Sequence, residues 1–259
     1  MQIEKAFERM GARVKVIPYT ERVRTEHLST HHRLVRRIPS SDRLRIDIKA
    51  DQQGEYYEIR EGPKDAPEVI DVNRDMRHLV LMVRDGDRKN KYLLGHDERH
   101  WFVAALPGNR VKDVRTAMEA LRPAEATAPG TIRQGEWYFV PCPDLDFSGM
   151  VIHRHEPIRR GRSKPHWCEE LVRSGGTTVY THLAYAPNGV GQQEYARISG
   201  IDNFHRMGWR TMTRDAKVYA RGIIKHPDHS TVRLGDIFHE VLMNLENNAP
   251  HDGAVAFLD

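Results

Sequence analysis

Cysteine is almost missing from this chain: Cys142 and Cys168 are the only two in 259 residues. Two thiols cannot build a disulfide framework, so the expectation is a pair of reduced cysteines in a cytoplasmic protein. Long apolar runs are missing as well. The longest, residues 101–106, is strand-sized, against the roughly 18 residues that cross a bilayer as a helix. No membrane partner is expected, and the opening Met-Gln-Ile-Glu-Lys has no apolar stretch of a secretory signal. There is no glycine-rich phosphate loop, because Ser174-Gly175-Gly176-Thr177-Thr178 has neither the lysine nor the spacing. The zinc-deaminase signature is half present. His96-Asp97-Glu98 supplies its His-x-Glu, but Pro141-Cys142 is followed by Pro143-Asp144-Leu145, which lacks the second thiolate.

Histidine, by contrast, is abundant. Fifteen are present, and many fall in tight sets: His31-His32, His96 with His100, His153 with His155, and His226 with His229. Imidazole titrates near neutral pH and is the commonest metal ligand, so these sets are where chemistry is expected. Charge is segregated too. The formal net charge is only +4, yet residues 1–45 carry +6, 46–150 carry −4, 151–225 carry +7 and 226–259 carry −5. Alternating blocks of this kind suit either a polyanion-binding face or pairing of the blocks within the fold.

The pattern predicts an α+β protein, mostly antiparallel strands and hairpins with a few short helices, in two lobes. A strand-rich lobe with a basic arm spans 1–122, a linker rich in Pro and Ala follows, and an α+β lobe spans 131–259. Ile3, Phe7 and Met10 share a helical face, and a strand follows to residue 17. Residues 19–42 are Arg-rich and patternless, an arm or a loop over a site. From Leu44 the alternation is period two, with a turn at 51–54, which predicts a hairpin. A polar loop around Pro67 leads to a three-stranded meander at 79–83, 92–94 and 101–106. A helix is expected over 111–121, where Val111, Val114, Met118 and Leu121 share a face, and Pro123 ends it. In the second lobe, strands are expected at 137–140 and 177–183, and helices at 166–173 and 192–198. A hairpin is expected at 218–224 and 231–234.

Four constellations carry candidate chemistry. His96 and His100 flank Asp97-Glu98-Arg99 on a loop between strands. His226-Pro227-Asp228-His229 sits at a hairpin tip, where both imidazoles and a carboxylate can point to one side. Together His96, His100, His226 and His229 are the candidate ligands of a divalent metal, zinc or similar. His229 and His96 are the candidate acid–base groups, since His229-Ser230-Thr231 fits the His-x-Thr element of two-histidine phosphoesterases. His153 and His155 would share one face of a strand. Finally, Arg159, Arg160, Arg162, Lys164, His166 and Trp167 place cations beside an aromatic, a combination that suits nucleic acid, single-stranded RNA included. Arg33, Arg36 and Arg37 would extend that patch. The leading expectation is therefore a nucleic-acid-associated protein that binds phosphates through the 159–167 loop. A metal-dependent hydrolase or phosphoesterase built on the histidines, and a charged protein-interaction module, are the alternatives.

Overall fold

The computed structural model describes residues 2–19, 22–29, 32–38, 44–62, 65–85, 87–108, 110–160, 163–200 and 208–246. It divides into two compact units. One takes in the chain as far as Arg122 together with Leu245 and Glu246, and the other runs from Pro123 to Asn244.

The first unit opens with helix α1 (Gln2–Met10), whose Ala6, Phe7 and Met10 are buried as the spacing predicts. Gly11, at φ 82°, takes the left-handed conformation that ends it. Strand β1 (Val14–Ile17) follows, then the hairpin β2 (Arg22–Ser29) and β3 (His32–Ile38), in the stretch that carried no pattern. Arg33, Arg36 and Arg37 lie on β3, outside the residues whose side chains are described. The period-two stretch forms the hairpin β4 (Arg45–Asp51) and β5 (Gly54–Arg60), and β1 joins β5 in parallel.

A meander completes the unit: β6 (Asp65–Asn73), β7 (His78–Asp85), β8 (Arg88–His96) and β9 (Trp101–Ala105). Strand β6 occupies what the sequence showed as a polar loop. Its Pro67 is tolerated because β6 lies at the sheet edge, where a missing N–H breaks no ladder. On β7, Leu79, Leu81 and Val83 join one core with Phe7, Met10, Tyr57 and Trp101. Val80 faces a second core with Leu93 and Ala104. A strand buried on both faces needs a continuous apolar run, which is why residues 79–83 do not alternate. Helix α2 (Val114–Leu121) covers the second core with Val114, Ala117 and Leu121. It starts three residues later than its apolar face suggests, because Asp113 and Thr116 form a capping box there. The chain returns at its far end: Leu245 N–H donates to the Leu121 carbonyl at 2.9 Å, and Glu246 accepts from Ala105 N–H at 3.0 Å.

The second unit is built on strands β10 (Ile132–Gln134), β11 (Trp137–Pro141), β12 (His153–Ile158) and β13 (His166–Ser174). Strands β14 (Thr177–His182) and β15 (Ala186–Val190), helix α3 (Gln192–Ser199) and strand β16 (Arg210–Arg214) come next. Strands β17 (Lys217–Lys225) and β18 (Val232–Met243) complete it. Six strands form one antiparallel sheet in the order β10-β11-β18-β17-β13-β12, and β15-β14-β16 form a second. Trp137, Phe139, Ile158, Cys168, Leu171, Ala220, Ile224 and Val241 are the core of the large sheet.

Two expectations are corrected. Residues 166–173 form a strand, not a helix. The register between β13 and β17 slips between Cys168 and Glu170. That bulge resets the alternation, so apolar residues fall at 167, 168, 171 and 172, a spacing that imitates a helical face. The described residues are also richer in strand than an α+β class implies, at 52% strand and 13% helix with three short helices. Among the described residues no sheet closes into a barrel, and no helix is long and apolar enough to cross a membrane.

Candidate metal centre

The loop between β17 and β18 opens with His226-Pro-Asp-His229, and it lies at the sheet end where β13 begins. Trp167 pairs with Lys225, so His166 on β13 comes beside His226. Both side chains follow the inward parity of their strands, two residues from buried Cys168 and Ile224. His166 is 1% exposed, while His226 and His229 are half-buried. The ring centroids of His166 and His226 are 4.1 Å apart, those of His226 and His229 4.6 Å, and those of His166 and His229 5.6 Å. One nitrogen from each ring lies within 4.8 Å of the other two. Tetrahedral zinc, bound at about 2.0–2.1 Å, spaces its ligand nitrogens about 3.3 Å apart. The rings are stacked with interplanar angles of 23° to 29°, so their in-plane lone pairs do not converge, and a cation requires the rings to rotate out of the stack.

Electrostatics favour the neutral forms of His166 and His226. Burial first, then the neighbouring His226 and His229, push the His166 imidazole down to about 3. Burial and His229 also hold His226 below its ordinary range, against a hydrogen bond to the Lys164 backbone that raises it. The Asp228 N–H donates to His226 Nδ1 at 3.1 Å, so neutral His226 carries its proton on Nε2. Neither ring nitrogen of His166 has a hydrogen-bond partner, and both are buried.

Two neighbours from the β10–β11 turn shape the site. Gln134 is 2% exposed and donates from Nε2 to the Ser230 carbonyl at 2.6 Å, leaving its buried Oε1 without a partner. Gly135 has φ 58°, and a Cβ placed on it would lie 2.7 Å from His229 Nε2. The glycine therefore lets the turn close onto His229. Gly135→Ala is expected to destabilise the protein by about 1–3 kcal/mol through positive φ and overlap together. It should also weaken zinc binding, and thermal melts with and without zinc check both effects.

The other expected site residues are dispersed. His96 and His100 belong to the first unit, and His226 and His229 to the second. His96 packs edge-on against Trp101 at 4.8 Å, with its pKa lowered by burial and by Arg77. His100 Nδ1 bonds Glu55 at 2.7 Å, and the other Glu55 oxygen accepts the Trp101 N–H at 3.1 Å. His153 lies 3.9 Å from Glu156, while His155 stacks on Trp167 at 4.8 Å.

In the basic loop, Arg159 is exposed, and Arg160 donates to Asn244 at 3.1 Å. Arg162 lies outside the described residues. Lys164 is bound to both oxygens of Asp228 at 2.7 Å, and burial takes His166 out of any surface a phosphate can touch. Trp167 remains exposed. Cys168 sits inside a strand, and burial pushes its thiol up to about 12. Sequence reasoning paired His226 with His229 but grouped His166 with the basic loop and not with these two. Its signal was the inward parity that β13 reveals only once it is known to be a strand. Set against known protein families, curated proteins and solved structures, the chain matches none.

Proposed function

We propose that the second unit is a metal-dependent, hydrolase-type centre, in which His166, His226 and His229 hold one zinc-class divalent cation. The observation that carries this is His166. A neutral imidazole buried with neither its donor nor its acceptor engaged costs about 1–3 kcal/mol for each unmade bond. Ligation uses one of those nitrogens directly. The neutrality of His166 and His226 at pH 7 also supports the proposal, because a metal must otherwise displace protons. Freeing His226 from its two backbone hydrogen bonds costs about 1 kcal/mol each. Against the roughly 10–16 kcal/mol of zinc in complete structural sites, those costs are small.

Among the described residues the cluster has three ligands, and three protein ligands leave a fourth position for water. Bound water is acidified by the metal, which is the basis of hydrolytic zinc chemistry. The phosphate-binding alternative at 159–167 has less support, since Lys164 is neutralised by Asp228 and His166 is buried.

The test is zinc stoichiometry by elemental analysis after chelation and reloading. About one zinc per chain is expected, with affinity lowered at least 100-fold in His226→Ala and in His229→Ala. Zinc retained in those variants but lost in His96→Ala or His100→Ala would overturn the proposal.

A further inference from the structure

On the face of the large sheet opposite the core, strand register assembles a row that the metal centre does not use. Pro157 pairs with Trp167 on β12 and β13, and Trp167 pairs with Lys225 on β17. Two residues along, Ile223 pairs with Arg233 on β18. Paired residues across an antiparallel sheet share a face, so Trp167 and Lys225 are side by side, with Arg233 further across. His155 lies flat on Trp167, with ring centroids 4.8 Å apart and an interplanar angle of 16°. Trp167 is 36% exposed, and His155, Lys225 and Arg233 are exposed as well.

Lys225 and Arg233 have no ion-pair partner among the described residues, unlike Lys164 and Arg221, which are held by Asp228 and Glu170. Of the carboxylates nearby, Glu169 is turned onto the Ile223 N–H at 2.9 Å, while Glu170 and Glu240, further along this face, are engaged by Arg221 and Lys217. A flat aromatic pair flanked by uncompensated cations is what a single strand of nucleic acid needs. Bases stack on the rings, whatever their identity, and phosphates meet the cations. A duplex keeps its base faces covered and gains only the charge.

We propose that this outer face, with Trp167 and His155 as the stacking platform and Lys225 and Arg233 as phosphate contacts, binds single-stranded nucleic acid without sequence preference. Charge complementarity selects the occupant, and the exposed rings distinguish it from a polyanion without bases.

The experiment measures fluorescence anisotropy of labelled 12-nucleotide oligo(dT) and oligo(rU) with the full chain, at 50 and 200 mM salt. Two phosphate contacts on a single strand give a log–log salt slope of about −1.4, a loss of roughly sevenfold over that range. Trp167→Ala should weaken binding roughly 5- to 150-fold, the value of one stacked base. Trp167→Phe should retain most of the affinity, and Lys225→Ala with Arg233→Ala should flatten the salt slope. Circular dichroism of each variant checks folding, and chelation or His226→Ala should leave the affinity unchanged. Undetectable binding would overturn the proposal. So would full affinity in folded Trp167→Ala, or equal binding of inorganic polyphosphate, which points to a polyanion site instead.

Discussion

His166→Leu is expected to make the metal-free protein more stable, by about 1–3 kcal/mol. Most buried substitutions destabilise. Here the residue removed is 1% exposed and has both ring nitrogens without hydrogen-bond partners, and leucine has similar volume and no polar atom to satisfy. Replacing an unsatisfied buried polar group with an apolar one of like shape recovers its desolvation cost. The same change removes a metal ligand. At free zinc a thousand times the dissociation constant, the wild type should gain about 4 kcal/mol, and the leucine variant none. Denaturant unfolding of both proteins, with zinc and with chelator, reads all four values. A leucine variant that loses stability without zinc, or keeps the zinc increment, contradicts the role given to His166.

Mild acid should destabilise the wild type well before its carboxylates protonate. His166 is held at about 3 in the folded protein, whereas an unfolded histidine titrates near 6.5. Between those values the unfolded chain binds the extra proton. Stability is therefore complete above about pH 6.5 and declines as pH falls, by about 1.4 kcal/mol per pH unit for one such group. His226, His239 and His96, all lowered chiefly by burial, act in the same direction. The decisive window is pH 6.5 down to about 5, above the ordinary carboxylate range. Urea midpoints measured across it should fall steeply in the wild type, and His166→Leu should remove one histidine's share. A flat profile there would mean that His166 is protonated in the native state.

Local signals located most strands and all three helices of the described residues. The unbroken apolar run at 79–83 reads directly as a buried strand, and Ile3, Phe7 and Met10 mark their helix. The shortened start of α2 depends on one side-chain cap at Asp113. Strand β13 was illegible for a different reason. A single bulged residue shifts the apolar positions out of period two, and a window of eight residues cannot distinguish that from a helix. The same bulge concealed one of the three candidate ligands. His226 and His229 are three residues apart, so their proximity is visible in sequence. His166 joins them only through the pairing of β13 with β17, a long-range register that no local pattern encodes. The unpatterned Arg-rich stretch also holds a hairpin: β2 and β3 pair with each other in a two-stranded sheet, and their sequence lacks the apolar–polar alternation by which a strand is recognised.

Ser174, the last residue of β13, is paired with Lys217, the first of β17. Everything between them, the whole three-stranded sheet with α3, leaves and re-enters the large sheet at one point. The connection is topologically a hairpin turn grown into a module. Its length does not affect the register of its parent strands, and loop-closure entropy rises only logarithmically with length. The large sheet and its histidines are thus a heritable frame. The module between residues 175 and 216 can be enlarged, trimmed or exchanged over evolutionary time without disturbing the alignment of β13 and β17 that places His166 beside His226.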